Sequence, residues 1–279
     1  MIVFPNAKIN LGLFITEKRP DGFHNLESVF LPVNWFDVLE IIPSKKFSLN
    51  VSGRVINCKT EDNLIFKAWN LLQSDFGIQA VETHLIKNIP MGAGLGGGSS
   101  DAAFMLKALN TLFELNLNDT QLEKYATMLG SDCPFFIRNK AALAYDKGNK
   151  LKELDLNIQN EYTLVIIWPE IFVSTKEAYS QIIPKKAPAN WTKGLQNIVK
   201  WKEFLNNDFE STVFSSHSEI KDLKEQMYQS GAIYASMSGS GSSVFGIFDK
   251  NRQIDKNTFK NVHSENINIS KLNYGRIEL

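Results

Sequence analysis

Cysteine is scarce: Cys58 and Cys133 are the two in 279 residues. Two thiols so far apart offer neither a disulfide framework nor the spacing of a zinc site. A reducing cytoplasm is the compartment they suit. Net charge is lacking too, because 30 Lys and Arg balance 30 Asp and Glu. No overall field therefore draws the chain to nucleic acid or to an acidic membrane. No apolar run is long enough to span a bilayer. The first residues lack the basic-then-apolar layout of a signal peptide. Internal repeats and low-complexity tracts are missing as well. What remains is ordinary globular composition, in a chain long enough for one large or two modest domains. The expectation is a cytoplasmic protein, a monomer or weak homodimer, with neither nucleic acid nor membrane as partner.

Glycine, by contrast, is concentrated. The stretch Pro90, Met91, Gly92, Ala93, Gly94, Leu95, Gly96, Gly97, Gly98, Ser99, Ser100 runs straight into a helical pattern. In that pattern Ala102, Met105, Leu106, Leu109, Leu112 and Phe113 share one face. A strand, Val81 to Ile86, precedes it. Strand, glycine-rich loop and helix together make a seat for phosphate. The loop turns its amides inward, and the helix N-terminus adds unpaired donors and a partial positive charge. Ser99 and Ser100 stand where an N-cap belongs and are within reach of a phosphate or its metal. The alternative is a flexible Gly/Ser turn, which has no need of a helix starting at its serines. No Lys-Ser/Thr closes the loop, so it is not a Walker A loop. Gly92, Gly94 and Gly97 fit a dinucleotide spacing, but Glu114 ends a helix where an acid ending a strand is required. Asp75-Phe76-Gly77 precedes the loop and no His-Arg-Asp occurs, which excludes a protein kinase. Those three residues read as a helix end at Gly77.

The rest of the chain reads as mixed α/β in two layers, an α+β arrangement. Lys8 and Asn10 share one face of a half-buried strand through Ile15. Further strands are expected at 26–33, 38–42, 47–51, 141–145, 162–168, 233–237, 244–248 and 268–277. Helices are expected from Asp62 or Asn63 to Leu72, at 121–129 capped by Asp119, and at 175–182, 195–205, 220–229 and 257–262. The polar stretch 147–159 is the candidate boundary. It divides the chain into domains of 1–157 and 158–279.

Three motifs stand in order along the chain: Ala7-Lys8-Ile9-Asn10-Leu11, the glycine loop, and Ser238-Gly239-Ser240-Gly241-Ser242. Together they resemble the GHMP kinases, small-molecule kinases named for galactose, homoserine, mevalonate and phosphomevalonate. Asp21-Gly22-Phe23-His24 and Gly130-Ser131-Asp132-Cys133-Pro134 add a resemblance to one branch. Its members use ATP to phosphorylate the 2-hydroxyl of a cytidine-diphosphate-linked methylerythritol, in the non-mevalonate isoprenoid pathway. The resemblance implies that residues 90–100 bind ATP, and that Mg²⁺ accompanies it without an evident acidic ligand in this chain. It implies Asp132 as the base that takes the alcohol's proton and Lys8 beside it, neutralising developing charge. On the residues alone Asp132 reads first as a turn cap before Pro134, and Lys8 as a surface lysine on an edge strand.

The resemblance also implies a substrate set of Asn10, Phe23, His24, Thr175, Tyr179, Gly239 and Gly241. Phe23 would stack on cytosine and His24 would read its edge. Most members of the branch carry Tyr where this chain has Phe23. Tyr179 would complete an aromatic sandwich or else belong to the core. Asp101 would stand behind the metal or pair with the helix dipole. Lys87 and Asn63 would border the nucleotide. A kinase for another alcohol, of the homoserine or mevalonate type, and a non-catalytic binding protein of the same fold are the competing readings. Fold alone does not separate them.

Overall fold

The structure is a computed structural model that describes residues 1–156 and 162–272. The 157/158 boundary and residues 273–277 of the last expected strand lie outside the described residues. The first half of the chain runs β1 (Ile2–Val3), β2 (Asn6–Lys18), β3 (His24–Phe36), β4 (Val38–Pro43), β5 (Ser48–Gly53), α1 (Leu64–Phe76), β6 (Val81–Lys87), α2 (Gly97–Leu112), α3 (Asp119–Leu129), α4 (Cys133–Arg138), β7 (Ala142–Tyr145) and β8 (Lys150–Glu153). The second half runs β9 (Tyr162–Ile167), α5 (Thr175–Tyr179), α6 (Trp201–Phe204), α7 (Phe209–Ser216), α8 (Ser218–Gln229), β10 (Tyr234–Met237), β11 (Val244–Asp249) and β12 (Ile267–Lys271). The strands form three four-stranded sheets, ordered β1-β4-β6-β5, β2-β3-β7-β8 and β10-β11-β9-β12. Only β5 and β6 pair in parallel among the described strands. The class is α+β, as the sequence implies.

Most elements fall where their patterns put them, and the exceptions have local causes. The helix after Asn63 is capped by that side chain, which accepts from the Ile65 amide at 2.9 Å. Helix α3 is capped by Asn118, not by Asp119: Asn118 and Gln121 form a reciprocal capping box. Helix α2 starts after Gly96, so Ser99 and Ser100 lie inside its first turn and do not cap it. The expected helix 195–205 is broken into 3₁₀ turns at Trp191–Gln196 and Ile198–Lys200, followed by the short α6. Three large apolar side chains, Trp191, Leu195 and Trp201, are buried there, so packing and not helical period sets the backbone. The expected helix 257–262 reduces to one 3₁₀ turn at Lys256–Thr258. Helices α4 and α7 and strands β1 and β8 escaped the pattern reading.

Three buried clusters fill the spaces between layers. Helices α1 to α4 cover β4 and β6 around Leu39, Ile41, Leu85, Met105 and Phe135. Helices α5, α7 and α8 cover the outer face of β9 and β11 through Val165, Ile167 and Phe248. The third cluster joins the halves: Ala7, Ile9 and Leu11 of β2 and Val29 and Leu31 of β3 pack with Leu164, Ile166, Phe245 and Ile247. Strand β2 is therefore covered on both sides, not half-buried as its alternation suggests. A register shift between Leu11 and Leu13 makes this possible. Before the shift, odd-numbered residues join the central cluster; after it, Phe14 joins that cluster while Leu13 and Ile15 join the outer one. A one-residue slip exchanges the faces of a strand. Beyond the shift β2 binds the second half directly, with Leu13 N–H donating to Asn206 O at 2.8 Å and Asp208 N–H donating to Leu13 O at 2.9 Å.

Asn118→Ala removes one half of the α3 capping box. It is expected to lower unfolding free energy by about 1 kcal/mol in urea titrations, whereas Asp119→Ala should change it by less.

Candidate active site

A cleft of about 700 Å³ lies where the two halves meet. Its walls come from β2 (Lys8, Asn10), β3 (His24, Leu26, Phe30), the glycine loop (Gly94, Gly96), the residues before α4 (Ser131, Asp132), α5 (Thr175, Tyr179) and the turn after β10 (Gly239, Ser240). Phe23 lines it too. Residues separated by most of the chain thus share one space.

At one end Lys8 and Asp132 form an ion pair with Nζ to Oδ2 of 3.5 Å. The Lys8 ammonium also donates to Asn10 Oδ1 at 2.6 Å and lies 4.8 Å from the centre of the Phe30 ring. Asn10 Nδ2 donates to Ser28 Oγ at 2.9 Å, and Ser28 Oγ donates to Gly12 O at 2.6 Å. That chain of bonds turns the oxygen of Asn10, and not its amide nitrogen, to the lysine. Lys8 is 3 % exposed, so it is not a surface lysine. Burial holds its pKa below the ordinary lysine range, and Asp132 opposes that shift. Asp132 sits at the N-cap position of α4, yet its side chain makes no capping hydrogen bond there. The carboxylate is directed to Lys8, and its side chain is 34 % exposed.

Beside this pair the three motifs cross. The Lys8 amide donates to Leu95 O at 2.9 Å, Ser238 Oγ donates to Gly94 O at 2.8 Å, and the Ser243 amide donates to Ala93 O at 3.1 Å. Three successive loop carbonyls are thus taken by protein. A trans peptide points its N–H opposite to its C=O, so the amides of Gly94, Leu95 and Gly96 turn away from those partners. Gly94 and Gly96 line the cleft. At Gly94 φ is +75°, and a Cβ would fall 1.9 Å from Ser238 O, so no other residue fits. At Gly96 a Cβ would meet Phe136 Cζ at 3.0 Å and Lys8 Cγ at 3.1 Å. A side chain there displaces the lysine.

The neck of the loop is closed by a buried ionic cluster. Lys87 Nζ donates to Asp37 Oδ2 at 2.5 Å and to Asp101 Oδ2 at 2.7 Å. Asp37 Oδ1 accepts the Asn88 and Ile89 amides at 2.6 and 2.9 Å. Lys87 has no exposed side-chain surface. It therefore anchors the loop from behind, and Asn63 serves as the α1 cap. Asp101 pairs with Lys87, not with the helix dipole alone. Burial, with Asp37 adding to it and Lys87 opposing it, pushes Asp101 up to about 7. The two carboxylates outweigh burial at Lys87, whose pKa is raised. One ammonium between two carboxylates retains a proton more readily than a lone pair would.

At the other end of the cleft stand the aromatics. Tyr179 stacks on His24, ring centres 4.7 Å apart and planes 24° apart, and meets Phe209 edge-on at 4.7 Å. Phe23 is 57 % exposed and carries the Lys147 ammonium 4.7 Å from its ring centre. Burial, then Lys18, holds His24 below the usual histidine range, which leaves it neutral near pH 7. Thr175 opens α5 on the cleft wall, and Gly239 faces Asn10: a Cβ there would lie 3.4 Å from Asn10 Oδ1. Gly241 does not line the cleft. It packs on Met237, whose Sδ lies 2.8 Å from where its Cβ would be.

Comparison with known proteins agrees with this geometry. The family model for the GHMP kinases N terminal domain matches residues 63–140, and that for GHMP kinases C terminal matches residues 192–257. A protein of Bacteroides thetaiotaomicron named 4-diphosphocytidyl-2-C-methyl-D-erythritol kinase is 54 % identical over 89 % of this chain and 92 % of its own. A Bacteroides fragilis protein of the same name is 50 % identical over 93 % of this chain and 96 % of its own. The chain belongs to the 4-diphosphocytidyl-2-C-methyl-D-erythritol kinase family of GHMP kinases. A crystal structure titled 4-(cytidine 5'-diphospho)-2C-methyl-D-erythritol kinase superimposes with a TM-score of 0.75 at 32 % identity, covering 88 % of this chain and 90 % of that one. As a GHMP kinase, the chain uses ATP on a small molecule. Among the described residues no helix is long and apolar enough to cross a membrane.

For a member of this family, sequence reasoning missed the cleft residues Lys18, Lys147 and Lys176, while Ser131 and Ser240 stand inside motifs it had quoted. Lys147 falls in the polar stretch read as a boundary. No spacing links these residues, because the turns and strand ends that carry them meet only in the fold. Asp37 was missed for the same reason, since it stands in an ordinary strand-to-strand junction.

Lys87→Met leaves two buried carboxylates facing each other. It is expected to cost about 3–5 kcal/mol in denaturant titrations. Adding Asp101→Asn should recover part of that loss, a non-additivity that a double-mutant cycle measures.

Proposed function

We propose that the protein transfers the γ-phosphoryl group of ATP to the 2-hydroxyl of 4-diphosphocytidyl-2-C-methyl-D-erythritol, a step of the non-mevalonate route to isoprenoid precursors. The observation that carries this reading is the Lys8–Asp132 pair in the same cleft as Phe23, His24 and Tyr179. A phosphoryl-transfer pair at one end and a base-reading aromatic set at the other suit an alcohol joined to a cytidine diphosphate. The names of the relatives support the same substrate.

In this mechanism Asp132 accepts the proton of the attacking hydroxyl as the oxygen bonds to the γ-phosphorus. The bond from that phosphorus to the β,γ-bridging oxygen breaks, and ADP leaves. Lys8 holds positive charge beside the transferring group, where low water content strengthens it. Asn10 fixes the lysine by its Oδ1. The loop amides of Gly94, Leu95 and Gly96 seat phosphate oxygens. Neutral His24 offers both a donor and an acceptor to a cytosine edge, and the exposed Phe23 face stacks on the ring. Lys18, Lys147 and Lys176 provide counter-charge for the diphosphate.

Magnesium belongs to the proposal. Among the described residues no group of three His, Cys, Asp or Glu could hold an ion. The Ser100 hydroxyl, by contrast, is buried without a partner in the first turn of α2. This donor set fits an ion carried on ATP phosphates, with Ser99 or Ser100 as protein ligands. Bound there, the ion would neutralise phosphate charge. We extend the proposal to an ATP-binding part of about residues 1–157, a substrate part of 158–279, and a cytoplasmic monomer or weak homodimer. A homoserine or mevalonate type of substrate has no use for the Phe23–His24 end, and a non-catalytic role has none for the Lys8–Asp132 pair.

An ADP-release assay with the cytidine-linked substrate, homoserine and mevalonate tests the choice. Turnover with either plain alcohol and none with the cytidine compound would sink it. Asp132→Asn should lower kcat by about 10²- to 10⁴-fold with both ligands still bound. Lys8→Met should also lower it, and the two losses should not multiply. Phe23→Ala should raise the KM of the cytidine substrate by the loss of a stack worth roughly 1–3 kcal/mol, and Phe23→Tyr should be tolerated. A Phe23→Ala enzyme with parental KM removes that residue from the site.

A further inference from the structure

The turn that carries Phe23 is held by one guanidinium. Strand β2 ends at Lys18 and β3 begins at His24, so residues 19–23 close that hairpin. The Arg19 amide donates to Phe23 O at 2.8 Å, and the Gly22 amide donates to Arg19 O at 3.1 Å. Bonds inside a short turn fix its shape but not its direction. The Arg19 side chain supplies the direction. Its Nε donates to Asp21 Oδ1 at 3.1 Å and to Oδ2 at 3.2 Å, and Asp21 Oδ1 accepts the Phe23 amide at 3.2 Å. Its Nη1 donates to Asn25 Oδ1 at 2.8 Å and to Asp146 Oδ1. Asp146 lies in the turn between β7 and β8 and is itself fixed. Its carbonyl accepts the Leu26 amide at 2.7 Å, and Lys150 Nζ lies 3.1 Å from its Oδ2. Its φ of +62° is a conformation that Asp tolerates better than most residues. The next residue, Lys147, places its ammonium 4.7 Å from the Phe23 ring centre and 4.0 Å from Asp21 Oδ2. One fork thus joins the turn that holds the ring to the turn that holds the cation beside it. Exposed ion pairs add little stability. Phe23, more than half exposed, has little packing of its own to keep it in place.

We propose that Arg19 is a positioning residue for the acceptor site: it ties the Phe23 turn to the Asp146 turn and so holds the Phe23 ring, with Lys147 against it, where the cytosine stacks. The inference rests on the reading that Phe23 stacks on that base. Arg19 is not among the residues that line the cleft, and it acts through Phe23. Ordering the turn beforehand removes an ordering cost from binding, so the effect falls on affinity and not on the chemical step. A guanidinium presents its donors in a fixed fork, which the point charge of a lysine does not reproduce.

The test uses the full-length protein with Arg19→Met, which keeps the apolar stem and removes the fork, with Phe23→Ala, and with both changes together. By calorimetry, Arg19→Met should bind cytidine 5'-diphosphate about two- to tenfold more weakly, the cost of ordering a side chain on binding. In turnover assays the KM of the cytidine-linked substrate should rise by a similar factor, while kcat at saturation and the KM of ATP hold. In the double variant Arg19→Met should add nothing to the loss from Phe23→Ala, because the ring it acts through is gone. Asp146→Asn keeps the shape of the turn and should reproduce part of the rise. It carries the same comparison if Arg19→Met does not fold. Losses that add in the double variant overturn the proposal, since Arg19 would then act independently of the ring. So does a matching rise in the KM of ATP or a fall in kcat, which would mark a general distortion of the cleft. Cytidine 5'-diphosphate affinity that falls in Phe23→Ala and holds in Arg19→Met overturns this inference and leaves the stacking reading standing. Parental affinity in Phe23→Ala overturns the stacking reading and the inference with it.

Discussion

Three hydrogen bonds to three consecutive carbonyls hold this molecule's working parts together. Ala93, Gly94 and Leu95 give their oxygens to two segments: the Ser238–Ser243 turn for the first two, and β2 for the third. The loop cannot sit elsewhere, because Gly94 approaches Ser238 too closely for any side chain. Paired carbonyls on one side free the amides on the other. The same contacts carry Lys8 to the loop and close the first half of the chain onto the second. A buried polar backbone group without a partner is costly, so the arrangement is an all-or-none fit and not a loose approach of flexible parts.

Burial then sets the electrostatics. Lys8 is nearly inaccessible, and the atoms that compensate its charge, Asn10 Oδ1 and Asp132 Oδ2, come from its own strand and from the start of α4. The Lys87 cluster solves a similar problem away from the cleft, where a lysine between two aspartates fastens both ends of the loop. Both sites place an ammonium in a low-dielectric surrounding, where removing one partner strands the other. One pair stays open to the cleft through Asp132. The other is sealed and works only through the loop it holds.

Much of this was legible in the residues. The strand, glycine loop and helix around 81–112 follow from periodicity and from the need of phosphate for free amides. Lys8 and Asn10 read as neighbours because strand side chains alternate. Gly77 marked the end of α1, and Asn63 was one of two candidates for its start. The errors are equally physical. Ser99 and Ser100 look like caps only until the positive φ of Gly96 starts the helix earlier. The 195–205 segment has helical spacing, but the burial of Trp191 and Trp201 bends it into short turns. The pairing of Lys87 with Asp37 was not legible, because nothing near the lysine in sequence shows that Asp37 will reach it.

The sequence by itself determined the class, the glycine-rich turn between a strand and a helix, and the motifs whose resemblance singles out Lys8 and Asp132. These depend on contacts within a few residues or on short patterns with one physical meaning. Only the tertiary structure decided that Asp132 faces Lys8 and does not cap a turn, that Tyr179 lies on His24, and that Lys18, Lys147 and Lys176 share one cleft. It also decided that β2 is buried on both sides, through a register shift at Gly12 that no alternation pattern contains. Pairings between distant segments depend on how whole sheets pack, and that packing is settled by the sum of many weak apolar contacts.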